Sequence, residues 1–211
     1  MEDKNSDLKI EESEKIELEK VQLKRTWSFW ENYEGKSKNQ LLYSDSLKEI
    51  YSFDNIISFW QFWNLYPGND IKQIFCDGEF IRYFFKEKYR IVAMNIFQKG
   101  IRPEWEDEKN KKGNILTLSY MIKSGDIDNF LSQISKSWIK LICLLIGETL
   151  PNCDKINGIR FVDKSKLGYN KNLTFKYEIW VNNNMTEEEL DQLKKYCSET
   201  FKCQGTIKPI N

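Results

Sequence analysis

Between Gly100 and Gly113 runs the stretch Gly-Ile-Arg-Pro-Glu-Trp-Glu-Asp-Glu-Lys-Asn-Lys-Lys-Gly, in which a single tryptophan, Trp105, stands among charges. A large aromatic with carboxylates on both sides, in a segment bounded by glycine and proline, is a poor core residue. Two arrangements accommodate it. Either the indole folds back onto a local cluster, or it stands exposed as a platform on which a flat ligand stacks. In the second arrangement Glu106 becomes a reader of the ligand's edge, because a carboxylate accepts two parallel hydrogen bonds. Among the bases only guanine presents a ring N–H beside an amino group, so a carboxylate at that place selects it.

Composition narrows the chemistry further. The chain has no histidine, which removes imidazole acid–base catalysis, Ser-His and Cys-His nucleophiles, and most zinc sites. An enzyme would have to rely on carboxylates or lysines. Glu106 and Asp107 could pair on a metal, but Lys109, Lys111 and Lys112 beside them read as ordinary loop solubility. No catalytic residue, metal or cofactor is expected. Aromatics make up 14% of the chain and include seven tryptophans, which favours stacking recognition over hydrolysis. The 32 basic and 32 acidic residues cancel, so the protein does not coat nucleic acid by charge, and any RNA contact is local. Cys76, Cys143, Cys153, Cys197 and Cys203 are odd in number and show no Cys-x-x-Cys spacing, the pattern of reduced thiols. No apolar run reaches the ~18 residues that cross a bilayer, and the N-terminus is charged. The expectation is a soluble, cytoplasmic monomer without membrane contact.

Positioning these residues takes one domain. Residues 1–20 are rich in Glu and Lys without aromatics and read as a flexible tail, and residues 21–211 as the folded unit. Trp27 and Phe29 alternate with Ser28 and Trp30 as in a strand, followed by a turn and polar loop over Glu31–Asn39. Leu47–Tyr51 is a short strand. A helix over Asn55–Trp63, with Asp54 as N-cap, carries Ile56, Phe59, Trp60 and Trp63 at helical spacing and is broken by Pro67-Gly68-Asn69. Residues 69–90 mix aromatics and charges without a readable period. Strands follow at Ile91–Phe97, Ile115–Met121, Gly158–Val162 and Phe175–Val181, with a long helix over Ile127–Ile146. Thr186 and Glu189 form a capping box for a last helix carrying Leu190, Leu193 and Tyr196. Strands and helices mix without βαβ regularity, which indicates α+β.

The loop and its surroundings resemble the eukaryotic initiation factor 4E family. The loop carries Gly100-Ile101-x-Pro103-x-Trp105-Glu106-Asp107 followed by Glu108-Lys109-Asn110. In the same order stand Trp27-x-x-Trp30, Phe53-Asp54 leading to Phe59-Trp60, Trp138 leading into Leu145-Ile146-Gly147-Glu148, Asn157-Gly158 and Ile179-Trp180. The resemblance extends from about Val21 to Gly205. It implies a curved antiparallel sheet, shaped like a cupped hand, with three helices on its convex back. It also implies binding of the 7-methylguanosine cap of messenger RNA in the concave face. The base would lie between Trp105 and Tyr43, with Glu106 on its edge. Lys164, Lys166 and Lys176 would meet the phosphates, and Trp180 the N7-methyl group. Asp107 beside the reader would be dispensable for binding. On the convex face Trp60, flanked by Ile56 and Ile139, would receive a helix of the pattern Tyr-x-x-x-x-Leu-hydrophobe from an initiation scaffold or a 4E-binding protein.

The sequence departs from the family pattern in several places. Val21-Gln22-Leu23 stands where His-Pro-Leu is usual. Lys164 replaces an arginine, and the apolar Ile115 stands where a basic residue is usual. Residues are added between Trp63 and Phe97 and in the turn Leu167–Thr174. Tyr43 replaces a tryptophan, as in homologous, often repressive cap-binding proteins. Three functions remain open at this level: recruitment of the initiation machinery to the cap, repression, or an interaction module that has lost the cap.

Tyr43 is the residue through which stacking is tested from sequence. Tyr43→Ala is expected to weaken binding of a methylated cap analogue by about 1–3 kcal/mol, the range for losing one stacking aromatic. Tyr43→Trp should preserve binding, since indole is the better cation–π face. Titration calorimetry checks this, and wild-type affinity in Tyr43→Ala would mean that another aromatic completes the sandwich.

Overall fold

Alternation of apolar and polar side chains, carried over successive strands, decides how this chain buries its surface. The structure, a computed structural model, describes residues 22–35, 46–66, 70–76, 81–84, 87–122, 125–165 and 173–210. In β1 (Gln22–Gly35), Trp27 and Phe29 point into the main core, while Ser28 and Trp30 face the other way. The expected turn after Trp30 does not occur. Glu31 to Gly35 continue the strand because β4 pairs with them throughout. Glu31 is fully buried there, and its carboxylate accepts hydrogen bonds from the hydroxyls of Tyr33 and of Tyr66, the latter at 2.5 Å. A carboxylate is tolerated inside when such donors surround it.

β2 (Leu47–Asn55) runs directly into α1 (Ile56–Leu65). The N-cap is Asn55, not Asp54. The Asn55 Oδ1 accepts from the Ser58 backbone N–H at 2.8 Å, while Asp54 is still in the strand. The stretch that resisted assignment forms a π-helical turn at Lys72–Cys76, then β3 (Ile81–Phe84) and the start of β4 (Glu87–Gln98). β5 (Asn114–Ile122) leads to α2 (Ile127–Ile146), capped by Asp126. A 3-10 turn precedes β6 (Ile156–Asp163), and β7 (Leu173–Val181) follows. α3 (Glu187–Phe201) opens with the expected Thr186–Glu189 capping box. A last strand, β8 (Gly205–Pro209), was not anticipated, being short and alternating only weakly.

The strands form one curved antiparallel sheet in the order β2-β1-β4-β6-β7-β5-β8, with β3 paired to β4. The helices lie on its convex side. There Trp138 of α2 packs against Phe161 and Tyr177 at ring separations of 5.5 and 5.8 Å. Tyr177 spends its hydroxyl on the Ile134 carbonyl at 2.7 Å, so the buried phenol is satisfied. No helix among the described residues is long and apolar enough to cross a membrane. Cys143, Cys153, Cys197 and Cys203 carry free thiols. Burial raises the pKa of each, for Cys197 up to about 12.

A smaller apolar cluster of Phe97, Ile101, Trp180 and Ile210 sits on the concave side. It depends on Gly158. A Cβ at that position would lie 2.4 Å from the Phe97 ring and 2.6 Å from the Ile96 carbonyl oxygen. Gly158→Ala is therefore expected to destabilise the fold by about 1–3 kcal/mol through overpacking, read as a lowered midpoint in urea. A midpoint equal to wild type would mean that strand and ring part at no cost.

Candidate functional site

Trp105 and Glu106 stand at the tip of the loop that joins β4 to β5. The loop is held from inside by Asn110, which is fully buried. Its side-chain amide donates to the carbonyls of Arg102 and Glu104, both at 2.8 Å. Its Oδ1 accepts from the Asn157 amide at 3.0 Å, and Asn157 also donates to the Lys109 carbonyl at 2.7 Å. Asn157 belongs to β6, which lies beside β4 in the sheet, so the loop is tied to a strand far from it in sequence. Asp107 braces the outer curve, accepting from the backbone N–H groups of Arg102 at 2.8 Å and Lys109 at 2.9 Å. Arg102 forms a two-pronged ion pair with Glu104, each contact 2.8 Å, and its guanidinium lies over the Trp30 ring, 5.6 Å from the centroid. That arginine holds the Glu104 carboxyl below its ordinary pKa.

The result is selective exposure. Five of the seven tryptophans are buried to 6% or less, while Trp105 is 59% and Trp60 38% exposed. Glu104 and Asp107 are committed to the loop. Glu106 is exposed. The folded-back arrangement for Trp105 is thus not the one adopted. Asp107, expected to be dispensable for binding, has a place in the loop itself, where its carboxylate accepts from two backbone N–H groups.

From the loop a polar row crosses the concave face. Asn95 of β4 is fully buried and donates to the Asn32 Oδ1 at 2.8 Å. Arg160 of β6 donates through Nε to the Asn95 Oδ1 at 2.8 Å and through Nη1 to the Glu178 Oε2 at 3.2 Å. The Trp180 indole N–H donates to the same carboxylate oxygen at 3.3 Å. Lys176, Glu178 and Trp180 share this face of β7, as their spacing requires. Lys176 lies opposite Val162 and Ser119 and is half-exposed. Lys164 follows the end of β6, where its backbone N–H donates to the Thr174 carbonyl at 2.8 Å and its side chain is exposed. Trp180 is fully buried beneath Phe97 and Ile115 and forms the floor of the face. Tyr43 and Lys166 lie outside the described residues.

At the rim, Glu49 of β2 accepts from Lys99 at 2.5 Å, Ser52 at 2.6 Å and Ser28 at 2.9 Å. Burial pushes its pKa up, but these donors outweigh it and the net shift is downward. On the opposite side of the sheet, Ile56 and Trp60 lie one turn apart on α1, and Ile139 lies on α2. Both isoleucines are half-buried against the core, which leaves the Trp60 ring as the exposed aromatic between α1 and solvent. Asn95 and Arg160 escaped sequence reasoning, while Asn110 and Asn157 entered it only as motif residues without a role. Arg160, a lone charge between Ile159 and Phe161 in an apolar strand, was a legible signal.

Comparison with known proteins places these features in context. The sequence model described as "Eukaryotic initiation factor 4E" matches residues 22–208. The chain is 29% identical to eukaryotic translation initiation factor 4E of Dictyostelium discoideum over 67% of its own length and 47% of that protein. It is 31% identical to initiation factor 4E1 of Drosophila melanogaster over 67% and 45%. The chain therefore spans about half the length of these relatives. Among solved structures, Ascaris suum eIF4E-3 with m7G cap superposes with a TM-score of 0.66 at 18% identity, covering 90% of this chain and 92% of that one. A schistosome eIF4E complexed with m7GpppA and 4E-BP gives 0.63 at 19%, covering 90% and 88%. At these identities the likeness establishes the fold.

The bracing by Asp107 is open to a direct check. Asp107→Ala removes the acceptor of two backbone N–H groups, at about 1 kcal/mol each. Amide hydrogen exchange at Arg102 and Lys109 is expected to accelerate several-fold in the variant, while exchange in β4 and β6 stays unchanged. Equal rates at those two amides would show that the loop keeps its shape without the carboxylate.

Proposed function

The chain belongs to the eukaryotic initiation factor 4E family, and from that premise we propose that it binds the 7-methylguanosine cap of messenger RNA on the concave face and takes part in translation initiation. The observation that carries this reading is the loop 100–113. Its internal polar groups are spent on holding it, and it offers outward one indole and, next to it, the carboxylate of Glu106.

In this reading the base stacks on Trp105, with Tyr43 closing the sandwich. Glu106 accepts from the guanine ring N–H and amino group. Methylation at N7 makes the base cationic, so stacking between electron-rich rings discriminates it from plain guanine. Lys164, Lys166 and Lys176 face the phosphates, and Trp180 supports the ring floor from beneath. The solved neighbours that hold m7G cap and m7GpppA support the choice of ligand. The exposure of Trp60 supports a second surface, on which an initiation scaffold or a 4E-binding protein inserts a Tyr-x-x-x-x-Leu-hydrophobe helix against Trp60, Ile56 and Ile139. That exposed aromatic supports a partner-binding role beside cap binding. Recognition of this kind is binding, performed by a cytoplasmic monomer without cofactor.

Two measurements test the reading. A methylated guanine nucleotide such as m7GTP should quench tryptophan fluorescence on binding, and GTP should compete at least about ten-fold less well, a gap of about 1.4 kcal/mol. Equal competition would sink the sandwich. Glu106→Ala should lower affinity for m7GTP by about 2–3 kcal/mol, as a charged acceptor is lost, with an unchanged circular dichroism spectrum. A variant that binds as wild type would remove Glu106 from the role of reader.

A further inference from the structure

Arg160 is the one arginine on the concave floor of β6 and β7, and it is held unusually well. Only 12% of its side chain is exposed. Asn95 fixes Nε, Glu178 fixes Nη1, and the guanidinium lies over the Trp180 ring, 5.4 Å from its centroid. Arginine carries five N–H donors in a rigid fork, and among the described residues only these two contacts engage them. A preorganised fork loses less freedom on meeting an anion than a lysine does.

Register places it in a line of cations. The row nearest the loop 100–113 is Phe97, Gly158 and Trp180. The next is Asn95, Arg160 and Glu178, and the one after it contains Val162 and Lys176. Lys164 comes just past the end of β6, four residues and roughly 13 Å from Arg160 along the chain. An anionic chain leaving a base held at Trp105 and running up these strands thus meets Arg160 first, then Lys176, then Lys164. Glu178 partly offsets the arginine's charge and keeps the fork in place.

We propose that Arg160 is a further ligand-contacting cation, gripping the phosphate closest to the base through its free guanidinium N–H groups. This inference rests on the cap-binding reading. A purely structural Arg160, bracing Trp180 through Glu178, would affect every ligand alike, whereas a phosphate contact depends on phosphate. The test therefore compares m7GTP, m7GMP and 7-methylguanosine, which shares the base and lacks phosphate, on wild type, Arg160→Gln and Glu178→Gln.

Arg160→Gln should lose about ten-fold in affinity for m7GTP and m7GMP, the size of a lost charge-assisted hydrogen bond. It should bind 7-methylguanosine within about two-fold of wild type. Glu178→Gln keeps a hydrogen-bond acceptor but removes the opposing charge, so m7GTP should bind more tightly while 7-methylguanosine is unchanged. Equal losses on all three ligands in Arg160→Gln, or no loss, would overturn the proposal. Should that variant fail to fold, Glu178→Gln decides alone, and unchanged or weakened m7GTP binding counts against the contact. If wild type binds none of the methylated ligands, the cap-binding reading itself falls and this inference with it.

Discussion

The side-chain amide of Asn110 makes both of its N–H bonds to carbonyls of its own loop and offers its oxygen to Asn157 on β6. An amide buried without these partners would cost a few kcal/mol, so the burial of Asn110 is coupled to this arrangement of the loop. Everything displayed outward depends on that arrangement. With Pro103 and Ile101 also buried, the loop is pinned at its base, and the bulky side chain left over is the indole of Trp105. A loop built this way presents a stacking surface without the ordering cost that a mobile segment pays when it binds.

The sheet divides its two faces by the same accounting of partners. Toward the helices, strand positions are filled with apolar and aromatic side chains, and the buried carboxylate of Glu31 is met by two tyrosine hydroxyls. Toward the concavity the row Asn32, Asn95, Arg160, Glu178 and Trp180 is joined by hydrogen bonds from strand to strand. A connected polar network of this kind is stiff because each member fixes the next. It gives the concave floor a fixed distribution of charge on which an anionic ligand can be read.

Charge in the loop is apportioned with comparable economy. Glu104 is tied to Arg102 and held ionised by it, and Asp107 is tied to backbone amides. Arg102 in turn covers Trp30. Glu108 pairs with Lys111, whereas Glu106 is exposed, and its place beside Trp105 is what makes a combined stacking and edge-reading site feasible.

The amino-acid sequence by itself determined the local features. Periodicity marked α2, the capping box marked the start of α3, and the odd composition of the loop marked Trp105 and Glu106, because these depend on neighbours a few residues away. It also identified Lys176, Glu178 and Trp180 as sharing one face, since side chains two apart in a strand must. Only the tertiary structure decided what those residues do to one another. The N-cap of α1 moved from Asp54 to Asn55, and β1 ran past its expected turn because β4 was there to pair with it. Trp180 went beneath the surface, since Phe97, Ile101 and Ile210, distant in sequence, close over it. Arg160 was joined to Asn95 and Glu178 through strand register, and Asn110 met Asn157 because the loop packs against β6. Register is set by pairing between segments far apart in the chain, and a reading of local spacing has no access to it.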